Sequence, residues 1–185
     1  RWRRRGPERR PWSGALKPDP SQGRPCDGLW PPVEIRPLQE GDPRAEFRSG
    51  NDDLDRFFHL YAGQNQFRHH IGTTYVAVER GRIAGFSTLA PGHLEFDPPP
   101  KVLKRLPRYP LPILRLARLA TDLGHRGQGV GEALLRHVLR MALRMADDYG
   151  CVGVLVDAKP GAEGFYARFG FEPLDLAQGE LPSRP

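Results

Sequence analysis

Cysteine is nearly absent: the chain of 185 residues holds only Cys26 and Cys151. Two thiols so far apart make no disulfide framework, and a reducing cytoplasm is the expected compartment. Long apolar runs are missing too. None approaches the roughly 20 residues that a membrane-spanning helix needs. The Arg-rich start has no apolar stretch of the kind a secretory signal carries, so neither a membrane partner nor export is expected. His59, His69 and His70 are present, but no His, Cys and Asp cluster has the spacing of a structural zinc site. No metal is expected.

Proline, glycine and arginine are abundant, but unevenly placed. Residues 1–32 contain seven Pro and four Gly, with eight Lys+Arg against the three acids Glu8, Asp19 and Asp27. The tail therefore carries +5 of the net charge of +6, leaving the body with about +1. Such a segment buries too little apolar surface to offset its ordering entropy, so it is expected to be a disordered, solvated basic arm. Residues 33–185 are expected to form one domain.

The body begins with Val33–Leu38, alternating apolar and polar as a half-buried strand does. Ser49-Gly50-Asn51-Asp52-Asp53 reads as a helix start, with a capping side chain and acids in the first turn. Leu54, Phe57, Phe58 and Tyr61 follow at helical spacing. Thr73–Val78 and Ile83–Ala90 are β-rich and flank Arg80-Gly81, which predicts a hairpin. The Pro-rich residues 97–112 form a loop, and Pro112–Thr121 a strand. Val130–Tyr149 is the clearest helix, with Leu134, Leu135, Val138, Met141, Ala142, Met145 and Tyr149 on one apolar face. Arg136, Arg140 and Arg144 lie on another. Val152–Val156 reads as a strand covered on both faces. Ala162–Phe169 makes a short helix closed by Gly170, and Phe171–Leu176 begins a last strand. The order β-α-β-β-β-α-β-α-β implies an α/β (α+β) fold, a mixed sheet with helices packed against it.

One segment carries the chemistry. A strand ending Leu119-Ala120-Thr121 runs through Arg126-Gly127-Gln128-Gly129-Val130-Gly131 into the long helix. Glycine permits positive φ and close approach of a ligand. The free N–H groups of the helix start then point at one place, as a phosphate or pyrophosphate site requires. Arg126 adds a fixed positive charge. No Lys-Ser or Lys-Thr pair follows, against a Walker-type loop, and the spacing Gly-x-Gly-x-Gly is not that of a dinucleotide fingerprint.

Arg126–Gly131 resembles the Arg/Gln-x-x-Gly-x-Gly/Ala pyrophosphate loop of the GNAT family of N-acetyltransferases. Gly164-Phe165-Tyr166-Ala167-Arg168-Phe169-Gly170-Phe171, about 35 residues on, is similar to that family's Phe-Tyr-x-x-x-Gly-Phe segment, and Leu119-Ala120-Thr121 to its cofactor-pairing strand. The resemblance covers roughly residues 33–176. It implies a mixed, mostly antiparallel twisted sheet and acetyl-CoA as acyl donor. Leu119, Ala120, Thr121, Arg126, Gly127, Gln128, Gly129, Val130 and Gly131 would form the acetyl-CoA site. Tyr166 would be the general acid that protonates the leaving thiolate.

A narrower resemblance rests on Ser49–Phe58, Gln64-Asn65-Gln66, Tyr75–Val78, Gly85–Ala90 and Pro112–Ala120. These look like the acetyltransferase toxins of type II toxin–antitoxin systems. That likeness implies acetylation of the amino acid on charged tRNA, with aminoacyl-tRNA, a ribbon-helix-helix antitoxin and a second copy of the chain as partners. The chain departs from the pattern at both ends. Its basic tail has no counterpart, and the apolar strand expected after Leu181 is missing. The alternatives are acetylation of a small-molecule or protein amine, and a non-catalytic acyl-CoA-binding module.

Phe165 and Phe169 are expected to fill the core, and Cys151 to act as a small hydrophobe. Of the carboxylates Glu79, Glu95 and Asp122, none stands out as a general base. Lys101, Lys104, Arg105, Arg108, Arg115 and Arg118 lie within residues 98–121 with no acid among them, a patch suited to a phosphate backbone. Arg105, Arg108 and Arg115 are the candidate substrate contacts. With recognition assigned to the body, loss of residues 1–32 is expected to leave acetylation intact.

Overall fold

The computed structural model describes residues 2–5, 33–94 and 110–173. In chain order its elements are β1 (Trp2–Arg5), β2 (Glu34–Pro37), α1 (Asp52–Arg56), β3 (Thr73–Glu79), β4 (Arg82–Leu94), β5 (Leu111–Thr121), α2 (Val130–Asp148), β6 (Gly153–Val156), α3 (Glu163–Ala167) and β7 (Glu172–Pro173). The strands form one sheet in the order β2-β3-β4-β5-β6-β1-β7. Among the described residues only β5 and β6 pair in parallel; the other neighbours are antiparallel.

Local chemistry explains most of these boundaries. Asn51 caps α1, its side-chain oxygen accepting from the Leu54 N–H at 3.1 Å. The helix then continues through two wide π-helical turns, Phe57–Tyr61 and Gln64–Arg68. Arg80 and Gly81 both take positive φ, 48° and 80°, as a two-residue hairpin turn between β3 and β4 requires. Helix α2 ends at Asp148, and Gly150 turns the chain away with φ 91°.

Each sheet face carries its own core. On one face α1 and its π-helical extension bury Phe57 and Phe58 against Leu38, Phe47, Val76, Ile83 and Phe86. The Phe58 and Phe86 rings stack at 4.3 Å. On the other face α2 packs Leu135, Val138 and Ala142 on Leu114, Leu116, Val154 and Val156. Gly85 on β4 lets α2 come down on the sheet: a Cβ there would lie 2.9 Å from both the Ala120 carbonyl oxygen and Val130.

Three expectations are corrected. Tyr149 does not join the apolar face of α2 but is 86% exposed, because the helix has ended before its side chain could reach the sheet. Phe165 and Phe169 are half-buried at the core margin, and Tyr166 between them is the buried ring. Trp2–Arg5, within the tail expected to be disordered, is a strand between β6 and β7. A ladder uses backbone groups, so it needs no apolar side chains, and a gap between two strands offers partners on both edges. The rest of the tail lies outside the described residues. Among those residues no strand follows β7.

Candidate active site

The sheet forks in its middle. Strand β6 pairs with β5 only along Leu114–Leu116, opposite Val154–Val156. Beyond that point, among the described residues, β5 is paired by β4 alone, through Arg118, Leu119, Ala120 and Thr121. The register between β4 and β5 shifts at Thr88/Leu89, leaving Ala117 as an extra residue in β5. A bulge here sharpens the local twist at the place where β6 departs. Among the described residues, the second backbone edge of residues 117–121 therefore has no strand partner. The three strand residues expected to hold a ligand are all on it. Ala120 buries its methyl in the α1-side core, while Leu119 and Thr121 are half-buried.

The strand then enters a braced turn. The Asp122 carboxylate accepts from the Arg48 N–H at 3.0 Å and the Gly124 N–H at 2.9 Å. His125 lies 3.3 Å from Asp122 and 3.2 Å from Glu79. Burial works against the charge of Asp122, but these two N–H donors and His125 together outweigh it and hold the carboxyl below its ordinary range. Asp122 and Glu79 thus serve the turn. Glu95 lies outside the described residues.

The glycines follow. Gly127 and Gly129 take φ 74° and 82°, in the left-handed region that other residues avoid. Gly129 is the N-cap of α2, and among the described residues no side chain caps the helix. The Ala133 N–H donates to the carbonyl oxygen of the N-cap Gly129 at 2.9 Å, so the amides of Val130, Gly131 and Glu132 precede the helical ladder. Gln128 closes the loop by donating to the Gly124 carbonyl oxygen at 2.9 Å. The Arg126 guanidinium donates to the Ser49 carbonyl oxygen. Its charge stays in the loop while bracing it against the start of α1. Replacing Gly129 with Val is expected to weaken CoA binding by about tenfold, the equivalent of the 1–2 kcal/mol that a left-handed non-glycine residue costs. Isothermal titration with CoA checks this, with circular dichroism confirming that α2 remains folded.

Tyr166 on α3 is 5% exposed and packs edge-on to Phe165 and Phe171. Its ring belongs to the cluster containing Leu116 and Val156, the last residues paired before the fork. Burial pushes the hydroxyl up to about 12, so it keeps its proton throughout the physiological range. Phe165 lies beside the start of α2, 3.8 Å from where a Gly131 Cβ would stand.

Leu119 packs against the cluster that holds Tyr166, and Thr121 and Phe165 flank Gly131, so the end of β5, the start of α2 and α3 are neighbours. Arg115 is exposed on the other side of the bulge, where it bonds Asp157 at 2.5 Å. Arg105 and Arg108 lie outside the described residues. Sequence reasoning missed the Asp122–Arg48 clamp, the His125–Glu79 pair, and the Lys159–Asp53 bridge at 2.8 Å. It also missed Arg118 lying over the Phe57 ring, 3.9 Å from its centroid. Each joins distant segments and leaves no local signal. Among the described residues no group of three His, Cys, Asp or Glu could hold a metal ion, and no helix is long and apolar enough to cross a membrane.

A mostly antiparallel sheet that forks beside an uncapped helix start has the architecture of the GNAT acetyltransferases, and residues 70–173 match that family's model, described as Acetyltransferase (GNAT) domain. The chain belongs to this family. Within it, the chain strongly resembles tRNA-acetylating toxins. It is 33% identical over 139 residues to a "tRNA-acetylating toxin" of Mycobacterium tuberculosis (strain ATCC 25618 / H37Rv), covering 74% of this chain and 82% of the relative. The solved structure "AtaT complexed with acetyl-methionyl-tRNAfMet" superposes with a TM-score of 0.71 at 26% identity, over 80% of this chain and 90% of that one. A Tyr-to-Phe variant of the AtaT toxin, bound to acetyl-CoA and the C-terminus of the antitoxin AtaR, superposes with a TM-score of 0.66 at 26% identity. That match covers 77% of this chain and 85% of the other.

Proposed function

We propose that the protein transfers the acetyl group of acetyl-CoA to the amino group of the amino acid on charged tRNA, as the toxin of a toxin–antitoxin pair. The observation that carries this reading is the fork: an unpaired β5 edge leads directly to an uncapped helix start, with a buried tyrosine at the branch. The similarity to AtaT and to the mycobacterial toxin supports the choice of acceptor. A ribbon-helix-helix antitoxin and a second copy of the chain are the proposed protein partners, and the cytoplasm the proposed location.

Acetyl-CoA supplies an activated thioester. The edge of residues 119–121 would pair with its amide-bearing arm as an added strand, and the amides of residues 126–131 would hold its pyrophosphate. A neutral amine attacks the thioester carbonyl, the new N–C bond forms, and the C–S bond breaks with its electron pair on sulfur. Tyr166 gives its proton to that sulfur and recovers one from the acetylated nitrogen. The forming thiolate offers the hydroxyl a charge-assisted partner that offsets the effect of its burial.

Incubation with labelled acetyl-CoA and bulk aminoacyl-tRNA tests the proposal. The expected product is N-acetyl-aminoacyl-tRNA. Replacing Arg105, Arg108 and Arg115 together should lower its yield and flatten its dependence on salt, because each lost phosphate contact removes released counterions. Acetylation of a small amine or a protein N-terminus, with charged tRNA untouched, would move the protein to another branch of the family. Acetyl-CoA binding without any acetylated product would mark a binding module.

A further inference from the structure

Arg118 is a half-buried cation to which the site described above gives no task. It stands on β5 opposite Thr88, next to the bulged Ala117 and past the point where β6 leaves. Its guanidinium lies 3.9 Å from the centroid of the Phe57 ring, and among the described residues no carboxylate bonds it. The charged groups around it come from three segments. Arg115 on the same strand is bonded to Asp157, which follows β6, at 2.5 Å. From α1 comes Asp53, which is bonded at 2.8 Å to Lys159, also beyond β6. Both acids therefore already serve other cations. Arg115, Arg118 and Lys159 outnumber Asp53 and Asp157, so this side of the fork stays positive.

Burial first, and Arg115 second, work against the charge of Arg118. A guanidinium keeps its charge regardless, and partial desolvation lets its field reach further than an exposed cation's.

Acetyl transfer needs a neutral amine, yet among the described residues the two carboxylates weighed as a base are committed: Asp122 clamps the turn and Glu79 pairs with His125. We infer that Arg118 does the work a general base would otherwise do, its fixed positive charge at the fork disfavouring the protonated form of the bound acceptor amine. The ammonium proton passes to water as the amine enters. The neutral nitrogen then attacks, as written above. This inference rests on the acetyl-transfer reading and deepens it, because it selects acceptors by acidity. An α-amine, with an ordinary pKa of about 8, has little to lose. A lysine amine, at about 10.4, stays largely protonated even after a downward shift of one or two units.

The test is the pH dependence of kcat between pH 6 and 9.5, with bulk aminoacyl-tRNA and the full chain. Three proteins are compared: the parent, Arg118→Met, which keeps an apolar side chain over Phe57, and Arg118→Lys, which keeps the charge. The acidic limb of kcat reports the bound complex. In Arg118→Met its midpoint should rise by about one pH unit, so kcat falls roughly tenfold at low pH and converges on the parent at high pH. Arg118→Lys should follow the parent. The midpoint of kcat/KM, set by free reactants, should not move. An equal loss at every pH, or an unmoved midpoint in Arg118→Met, overturns the inference and leaves acetyl transfer standing. So does a parent enzyme that acetylates a lysine peptide as fast as an α-amine at neutral pH. Failure of the parent on aminoacyl-tRNA, small amines and lysine peptides alike overturns both readings.

Discussion

Tyr166→Phe should lower kcat for acetyl transfer by about a hundred- to ten-thousand-fold, the range general acid catalysis supplies, while leaving CoA affinity near that of the parent. The substitution removes one hydroxyl and leaves the ring in place against Phe165, Phe171 and the cluster around Leu116 and Val156. A second readout separates the hydroxyl from packing. An unfolded tyrosine ionises near pH 10, whereas buried Tyr166 holds its proton up to about 12. Between those values the folded state binds more protons than the unfolded one, so stability falls as pH rises through the interval. The loss amounts to on the order of 2 kcal/mol by pH 12, and Tyr166→Phe should lack it. Denaturant melts at pH 9 and 11 measure this difference. Single-turnover kinetics show whether chemistry limits the rate; an unchanged chemical step in Tyr166→Phe would remove the hydroxyl from the mechanism.

Deleting residues 1–32 should cost both stability and turnover, the reverse of what tail composition implies. Among the described residues β7 reaches the sheet only through β1, and β1 covers the edge of β6 that β5 does not. Helix α3, with Tyr166, lies in the chain between β6 and β7. Without β1 the β6 edge is open and β7 is unmoored. At about 1 kcal/mol for each net ladder hydrogen bond, the melting temperature should drop by roughly 5–10 °C, and kcat should fall as α3 loosens. Arg4→Pro distinguishes ladder from charge: it removes one N–H and breaks pairing, whereas Arg4→Ala keeps the ladder. The proline variant should behave like the deletion and the alanine variant like the parent. If both match the parent while the deletion loses only salt-dependent tRNA affinity, the tail acts as a charged arm.

Much of the fold was legible from residues a few positions apart. Asn51 three residues before Leu54, Arg80-Gly81 between two β-rich runs, and Gly150 after an amphipathic run each set torsions or hydrogen bonds locally. The order of the body's strands and helices followed from those signals. So did the glycine turn at Gly127 and Gly129, where left-handed φ leaves few alternatives, and the place of Tyr166 in the segment Phe165–Phe171.

Tertiary structure decided what joins distant segments. Periodicity identifies a strand but not its neighbour, so nothing in Trp2–Arg5 announces pairing with Gly153–Val156. The extra residue at Ala117 is invisible without the register of β4 against β5. Asp122 looks like a free carboxylate until the Arg48 amide arrives from 74 positions earlier. Arg118 reads as one more cation in a basic stretch until α1 places Phe57 beneath it. Sequence by itself determined the elements and the cofactor-type loop, because their energetics are local. The fork, the clamp and the closing strand depend on which surfaces meet when the sheet assembles, and only the folded chain decides that.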